Sequence, residues 1–188
     1  AKSLQARGIQ FLDAPITGNV VKAGDGRLGV MCSGPQAAFR HAEPVIQELA
    51  GAIVLYLGEH NGMAQRLKLL NNLLSASGMA SACEAFILGT KWGLAPEVML
   101  EVINGGEAYS SATLNKFAKS VLPRSFDYGA RMAITAKDTT LTIEESEELG
   151  VPMWVGQAVR QVWHYAASQG GAERDGSSLI SFLAPWAG

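Results

Sequence analysis

The chain has 188 residues, of which 48% are hydrophobic, and its formal charge is −2 from 15 basic and 17 acidic residues. This is a globular composition with enough apolar residues for a sizeable core, in one large domain or two small ones. The absence of any basic block argues against a nucleic-acid-binding surface. Cys32 and Cys83 lie far apart, which favours buried thiols in a reducing compartment over a disulfide framework or a zinc site.

The most apolar helical stretch, Leu67–Leu88, is interrupted by Asn71, Asn72, Ser75 and Glu84. A membrane-spanning helix is more uniformly apolar, so the sequence predicts no membrane span. The first residues lack the charged, apolar and small-residue order of a signal peptide. We therefore expect a cytoplasmic protein whose partners include neither a membrane nor a nucleic acid.

The first third of the chain has the pattern of α/β structure. Its opening residues resemble the last turns of a helix, and short apolar runs closed by glycine or proline predict strands over Gly8–Ile16, Arg27–Cys32 and Ile53–Leu57. One broad apolar face predicts a helix over Pro35–Ala50. This part has no room for a full doubly wound sheet and no GxGxxG after an opening strand. It is expected to be a minor α/β cap or, as we favour, the tail of a larger domain.

From Asn61 onward the pattern is helical, which predicts a joint near His60 and Gly62 and domains of residues 1–60 and 61–188. Glycine and proline residues mark the expected helix ends. The predicted helices are Met63–Trp92, Pro96–Ile103, Ala112–Val121, Gly129–Leu149 and Pro152–Gln169, with a last apolar turn over Ser177–Leu183.

A polar turn, Asp13–Asn19 (DAPITGN), follows the first predicted strand. A strand that stops at a proline and turns through Gly18 exposes backbone N–H groups beside the hydroxyl of Thr17, which suits the binding of a carboxylate. A purely structural turn has the same composition, so the residues alone leave both interpretations open.

Lys68 and Asn72 are four residues apart in the long predicted helix, so they share one face. A lysine among leucines can be desolvated, which lowers its pKa and suits it to acid/base chemistry near neutral pH. Spacing alone equally allows a lysine that extends along the helix edge towards solvent.

Lys137 and Asp138 lie inside the predicted helix Gly129–Leu149 and, without context, are an exposed charged pair on a solvated face. The histidines are scattered and have no metal-ligand spacing, so no metal site is predicted.

The long helix also carries small side chains, which let another helix approach closely. This predicts a tight helix–helix contact, either within the domain or across a homodimer or homotetramer. The residues are Ser75, Ala76, Ser77, Gly78, Ala80, Ser81, Ala82 and Ala85.

Taken in order, these clusters resemble the β-hydroxyacid dehydrogenase family, which includes 3-hydroxyisobutyrate dehydrogenase and, more distantly, 6-phosphogluconate dehydrogenase. Phe11–Asn19 (FLDAPITGN) resembles the family's substrate-binding turn, usually DAPVSGG. Gly62–Asn72 (GMAQRLKLLNN) resembles its catalytic helix, and Ala136–Asp138 (AKD) resembles its cofactor-side helix, often LKD. Glu148–Pro152 (ELGVP) is similar to a further family segment, and the resemblance spans roughly residues 8 to 183.

The resemblance implies a mainly α fold. An all-helical C-terminal domain like that of 6-phosphogluconate dehydrogenase, built on a long helix, would follow the last strands and helix of a Rossmann-type α/β domain. It also implies NAD or NADP as the cofactor, a small 3-hydroxy acid or its semialdehyde as the substrate, and dimerisation through the helical domain.

The family's site residues carry over by their motifs. Lys68 is then the catalytic acid/base, Asn72 binds substrate, and Lys137 contacts the cofactor with Asp138 beside it. The turn residues that hold the substrate carboxylate are then Thr17, Gly18 and Asn19.

Departures from the family pattern fall at the same places. Thr17 stands where serine is usual and adds a methyl that narrows the site. Asn19 stands where glycine is usual, so a glycine-type backbone angle is less easy there. Gly129-Ala130 stands where glycine-phenylalanine is common, which changes one wall of the nicotinamide pocket. These departures predict a changed substrate preference with the chemistry kept.

Two alternatives to an active dehydrogenase stay open. The chain lacks the GxGxxG half and would then be an inactive fragment that acts as an oligomerisation module. The same scaffold also serves enzymes that reduce imines, but these generally replace the lysine found here as Lys68.

Overall fold

The computed structural model describes residues 1–51 and 53–187. Contacts divide the chain into two compact units, Ala1–Leu70 and Asn71–Gly188, with the division inside one long helix. Each unit has its own hydrophobic core.

The first unit contains a three-stranded sheet in the order β1 (Ile16–Thr17), β2 (Gly29–Cys32), β3 (Ile53–Tyr56). β1 runs antiparallel to β2, and β2 runs parallel to β3. A parallel pair needs a crossover connection, and helix α3 (Gln36–Leu49) supplies it. This is the α/β character that the first third of the sequence predicted.

The core of this unit forms where α3 packs on the sheet. Val30 and Cys32 of β2 are buried with Ile46 of α3, and the rings of Phe39 and Tyr56 stack at 4.6 Å. Two short helices, α1 (Lys2–Gln5) and α2 (Val20–Gly24), complete the described elements before β2. The helical start of the chain was predicted, whereas α2 was not.

The strand predicted over Gly8–Ile16 is wrong in extent. Before Ile16 the segment makes only an isolated bridge, between Asp13 and Ser33. Gly8 has a φ of +71° and Pro15 has no N–H to donate, so the segment cannot pair along its whole length.

The second unit is helical, and its first residues belong to the long helix α4. In chain order, its longer elements are the α-helices α4 (Met63–Lys91) and α5 (Pro96–Gly105), a π-helix over Ala112–Val121, and the α-helices α6 (Met132–Glu148) and α7 (Trp154–Ala166). A 3₁₀ turn over Gly176–Leu179 and helix α8 (Ile180–Leu183) follow.

The core of the second unit lies along one face of α4. Ala76, Met79 and Phe86 are buried there, at helical spacing. Trp163 of α7 is also buried and donates its indole N–H to the carbonyl of Ala76 at 3.2 Å. Phe117 of the π-helix lies 4.4 Å from Phe86, measured between ring centres. Several small residues of α4 therefore pack against other helices of the same chain.

By length and composition alone, α4 is long and apolar enough to cross a membrane. The core helix of a soluble protein can have the same length and composition. In α4, 44% of the most apolar 18-residue stretch is buried inside the protein. Since its apolar face packs against the π-helix and α7, we interpret α4 as a core helix.

The predicted helix ends at glycine are confirmed for α4 and α6. Gly93 and Gly150 have φ of +85° and +66°, and the N–H groups of Leu94 and Val151 bond back to helix carbonyls. This is the pattern of a glycine C-cap. The beginning of α6 differs from the prediction, since the helix begins at Met132 and Gly129 lies in the preceding loop.

Candidate active site

The turn after β1 is built around Gly18. Its φ of +138° lies in the left-handed region, and a Cβ there would come within 2.7 Å of Leu28 Cδ2, so a side chain would be strained. Asn19 has extended backbone (φ −118°) and caps α2, because its Oδ1 accepts a hydrogen bond from the N–H of Lys22 at 2.9 Å. The expected difficulty of an asparagine in place of glycine is therefore wrong, since no positive φ is needed at this position.

Thr17 is half-buried and pairs with Gly29 in the sheet. A Cβ on Gly29 would lie 2.8 Å from Thr17 Cγ2. The added methyl of the threonine thus occupies space that a glycine on the neighbouring strand leaves open.

Asp13 and Ser33 hold the beginning of α4. Ser33 Oγ donates to Asp13 Oδ2 at 2.9 Å and accepts from the backbone N–H of Ala64 at 3.0 Å. The same Asp13 oxygen accepts a hydrogen bond from the N–H of Gly62. Helix N-termini leave N–H groups without intrahelical partners, so these two buried side chains fix the start of α4 to the strand-and-turn segment.

Lys68 lies on α4, half-buried, and Asn72 follows one helical turn later. Of the leucines around it, Leu67, Leu70 and Leu74 are exposed. The sequence predicted that leucines around Lys68 would shield it from water. Because several of these leucines are exposed, that shielding is only partial.

Asp138 is the centre of a hydrogen-bonded group in the second unit. Its Oδ2 accepts from Asn72 Nδ2 at 2.6 Å, and its Oδ1 pairs with Lys137 Nζ at 2.9 Å. The side chain of Asp138 is only 10% exposed, whereas that of Lys137 is 63% exposed. The two charges are thus not an exposed pair: Asp138 is buried against α4, and Lys137 presents its ammonium to solvent.

Lys116, on the π-helix, is a half-buried lysine that the sequence did not single out. Its Nζ lies 3.4 Å from Ser75 Oγ and 5.8 Å from the centre of the Tyr128 ring. Burial lowers its pKa, while Asp175 and Cys83 favour its charged form. Burial, with a smaller effect of Glu84, raises the pKa of the Cys83 thiol to about 12, so that thiol is not a nucleophile at neutral pH.

The loop before α6 is held by Asp175. Its Oδ2 accepts hydrogen bonds from the N–H groups of Gly129 and Ala130, at 2.6 and 3.1 Å, and its Oδ1 accepts from Ser177. Burial by itself raises the pKa of Asp175, but these hydrogen bonds outweigh it and leave the pKa below its usual value. The Gly129-Ala130 segment is therefore ordered by backbone hydrogen bonds to a carboxylate.

The predicted site residues are divided between the two units. Thr17, Gly18, Asn19 and Lys68 belong to the first unit, on the turn and on α4. The second unit contains the other three, which the structure joins directly; they are Asn72, Lys137 and Asp138.

Sequence reasoning missed the contact between Asn72 and Asp138 because 66 positions separate them, and no local spacing signals such a contact. It also missed the contacts of Ser33 with Asp13 and Ala64, for which the only sequence signal is the place of Ser33 directly after β2. Among the residues that the structure describes, no group of histidine, cysteine and acidic side chains is arranged to hold a metal ion.

The sequence matches two families of nucleotide-binding domains. Residues 62–183 match the family described as the NAD-binding domain of NADP-dependent 3-hydroxyisobutyrate dehydrogenase. Residues 1–58 match the NAD-binding domain of 6-phosphogluconate dehydrogenase.

Curated relatives and solved structures extend these matches. The chain is 32% identical over 180 residues to the 2-(hydroxymethyl)glutarate dehydrogenase of Eubacterium barkeri, covering 96% of the chain and 59% of the relative. It is 31% identical to the mitochondrial 3-hydroxyisobutyrate dehydrogenase of Mus musculus, covering 97% of the chain and 56% of the relative. The crystal structure of a 3-hydroxyisobutyrate dehydrogenase from Salmonella typhimurium superposes with a TM-score of 0.87 at 28% identity, covering 96% of the chain and 63% of that structure.

The matches define the class as proteins with the NAD-binding domains of 3-hydroxyisobutyrate dehydrogenase and 6-phosphogluconate dehydrogenase, and the fold agrees with the solved structure. Within this class, the chain belongs to the β-hydroxyacid dehydrogenase family. It is mainly α, with an all-helical domain built on α4 that follows a partial Rossmann-type α/β segment. The chain spans less than three fifths of the length of both curated relatives.

Proposed function

We propose that this chain is part of an enzyme that oxidises a small 3-hydroxy acid to its semialdehyde with NAD or NADP, or catalyses the reverse reduction. The observation that carries the proposal is the hydrogen-bonded group Asn72–Asp138–Lys137. It links a residue expected on the substrate side to one expected on the cofactor side.

The substrate class is argued from chemistry that two relatives share. 3-Hydroxyisobutyrate and 2-(hydroxymethyl)glutarate, named in the relatives' descriptions, both carry a hydroxymethyl group beside a carboxylate. We propose that this chain acts on an acid with the same arrangement.

Lys68 is the proposed acid/base. Its neutral amine accepts the proton of the substrate hydroxyl during oxidation and returns it during reduction, as general acid–base catalysis requires. A bound nicotinamide supplies the acceptor for the hydride. Lys68 is half-buried on α4, one helical turn before Asn72.

Asn72 is proposed to orient the substrate, and Asp138 to hold Asn72 in place. A carboxylate that accepts from the Nδ2 of Asn72 fixes the amide orientation. The exposed ammonium of Lys137 suits an anionic group of the cofactor, so the residues present fit NAD(P).

The turn Thr17–Gly18–Asn19 is proposed to hold the substrate carboxylate. Gly18 keeps the turn free of a side chain that would be strained there, which leaves its backbone accessible. The N–H groups of such a turn attract anions.

The test is Lys68→Met in the full-length enzyme, with 3-hydroxyisobutyrate and 2-(hydroxymethyl)glutarate as substrates. Loss of a general acid/base typically lowers turnover by about 10²–10⁴-fold, so kcat should fall by at least 100-fold with binding of NAD(P)H kept. Turnover is followed by absorbance of the reduced nicotinamide.

Lys91→Met is the matched control, because Lys91 is an exposed lysine at the far end of the same helix. It should leave kcat within twofold of the wild type. Near-normal turnover of Lys68→Met would contradict the assigned role, and reduction of cyclic imines in preference to semialdehydes by the wild type would overturn the proposed reaction.

A further inference from the structure

The beginning of α4 is capped by residues from outside the helix. The first N–H groups of a helix are usually bonded by the side chain of the residue just before it, most often serine, threonine, aspartate or asparagine. In α4 that residue is Gly62, which has no side chain. Ser33 takes its place by accepting from the N–H of Ala64 at 3.0 Å, and Asp13 accepts from the N–H of Gly62. The cap therefore comes from residues 31 and 49 positions away along the chain.

Asp13 and Ser33 are also joined to each other at several points. The Ser33 hydroxyl donates to the Asp13 carboxylate at 2.9 Å, and the two backbones exchange hydrogen bonds of 2.9 and 3.0 Å. Both residues are buried. Asn61, just before α4, donates its side-chain amide to the carbonyl of Phe11 at 3.0 Å. Three segments that are distant in sequence thus meet in one hydrogen-bonded cluster.

One helical turn of α4 separates this cluster from Lys68. Ala64 and Lys68 are four residues apart, so they share a helix face and differ by roughly 6 Å along its axis. Asp13 precedes Thr17 by four residues, and all of these residues belong to the first unit. The same carboxylate therefore contacts the helix that carries the proposed acid/base and opens the turn that is proposed to hold the substrate.

We propose that Asp13 and Ser33 are positioning residues, which hold the first turn of α4 and thereby align Lys68 with the substrate. This inference rests on the proposed function, because it takes Lys68 to be the acid/base. Both residues act through Lys68, and neither contacts the substrate. Proton transfer needs heavy atoms within about 2.6–3.2 Å of each other, and a misplacement of ~1 Å can cost about 100-fold in rate. A first turn that is free to shift would slow the reaction in a chain that stays folded.

A cap from distant segments does more than a local cap. A side chain at position 62 would satisfy the same N–H groups and stabilise α4, but it would leave the helix free to slide against the sheet. The hydrogen bonds of Asp13 and Ser33 are buried and directional, so they fix the position of the first turn. They specify where α4 begins relative to β2 and to the polar turn, and the alignment of an acid/base depends on such support.

The test is a double-mutant cycle in the full-length enzyme, with Ser33→Ala made in the wild type and in Lys68→Met. The substrate is whichever of 3-hydroxyisobutyrate and 2-(hydroxymethyl)glutarate is oxidised faster. Values of kcat are expressed per NAD(P)H-binding site, titrated by fluorescence, so that unfolded molecules are not counted. Asp13→Asn is the conservative variant, because its amide oxygen can still accept two hydrogen bonds. Ser120→Ala is the matched control, since Ser120 is a buried serine that also donates to an aspartate, Asp127, at 3.0 Å.

Ser33→Ala should lower kcat by about 10–100-fold in the wild type, but by less than about twofold in Lys68→Met, because the residue through which it acts is already absent. Asp13→Asn should keep more of the turnover than Asp13→Ala, and Ser120→Ala should leave kcat unchanged in both backgrounds. An equal fractional loss for Ser33→Ala in both backgrounds would show a general structural effect and overturn the positioning role. A higher KM for the acid with an unchanged kcat would place the effect in the polar turn and overturn it as well.

The proposed function would fail by a different result. Near-normal kcat of Lys68→Met would refute the acid/base and, with it, this inference. A large loss for Lys68→Met together with a wild-type kcat for Ser33→Ala would leave the proposed reaction standing and contradict the positioning role alone.

Discussion

At the scale of single residues, the buried carboxylate of Asp138 organises the part of the site that lies in the second unit. One of its oxygens accepts from the amide of Asn72, and the other pairs with the ammonium of Lys137. Hydrogen bonds to charged groups are stronger than neutral ones. We therefore propose that Asp138 is a positioning residue, which would act on the substrate through Asn72 and on the cofactor through Lys137.

Asp138→Asn keeps the shape of the side chain and removes its charge. An asparagine has one acceptor oxygen and an NH2 group in place of the second oxygen, so the contact with either Asn72 or Lys137 is lost. Charge-assisted hydrogen bonds contribute about 1.5–3 kcal/mol, and we expect kcat/KM to fall about 10–100-fold in steady-state kinetics.

The control for this change is Glu144→Gln, an exposed carboxylate on the same helix. It should leave kcat/KM unchanged within twofold. The positioning role of Asp138 is refuted if the asparagine variant retains the wild-type kcat/KM and the wild-type KM for the cofactor.

At the scale of elements, α4 is the helix on which the proposed site depends, and its start is held from outside the helix. Asp13 opens the DAPITGN turn and Ser33 directly follows β2, yet both accept hydrogen bonds from N–H groups at the beginning of α4. Orphan N–H groups in the first turn are a general feature of helices. Here two of them are satisfied by side chains outside the helix, one from Asp13 of the proposed carboxylate-binding turn and one from Ser33 after β2.

Ser33→Ala tests this link. The variant removes a buried hydroxyl that donates to Asp13 and accepts from Ala64. It leaves a buried N–H group and a carboxylate each short of a partner. We expect a loss of about 1–3 kcal/mol in the free energy of unfolding, measured by urea denaturation.

Ser146→Ala is a suitable comparison, because Ser146 is another buried serine and its hydroxyl donates to the carbonyl of Ile143 in its own helix. Its removal should cost less than about 0.5 kcal/mol. If the two variants lose equal stability, Ser33 has no special role at the start of α4.

At the scale of the whole molecule, α4 has a buried face and an exposed one within the second unit. Ala76, Ala80 and Ala82 are buried, so the close contact predicted from small residues exists inside the chain. Ser81, Ala85, Leu88 and Trp92 are exposed at helical spacing, and they form a low apolar stripe. We expect this stripe to take part in the homodimer or homotetramer that the sequence predicts.

Ala85→Arg places a long charged side chain in the middle of the stripe without touching the buried face. It should shift the protein to smaller species, because an unpaired charge at the centre of an interface is strongly unfavourable. Light scattering over a range of concentrations measures the change.

Thr90→Arg adds a charge at an exposed position on the opposite side of α4, and should leave the assembly unchanged. A wild type that stays monomeric at high concentration would rule out the oligomer. An unchanged assembly of Ala85→Arg would move the interface elsewhere.

The sequence by itself determined the helical character of the second unit, the glycine ends of α4 and α6, the family and the motifs. Each of these follows from local patterns: helical periodicity, glycine at positive φ, and residues a few positions apart. The face shared by Lys68 and Asn72 follows from the same local geometry.

Only the tertiary structure decided which distant residues contact the residues of those motifs. The bond from Asn72 to Asp138, the hold of Ser33 on α4 and the contact of Lys116 with Ser75 all join distant parts of the sequence. The structure also shows that Asp138, which the sequence predicted as an exposed charge, is a buried carboxylate. Such contacts depend on how helices pack, which the spacing of residues along one helix does not encode.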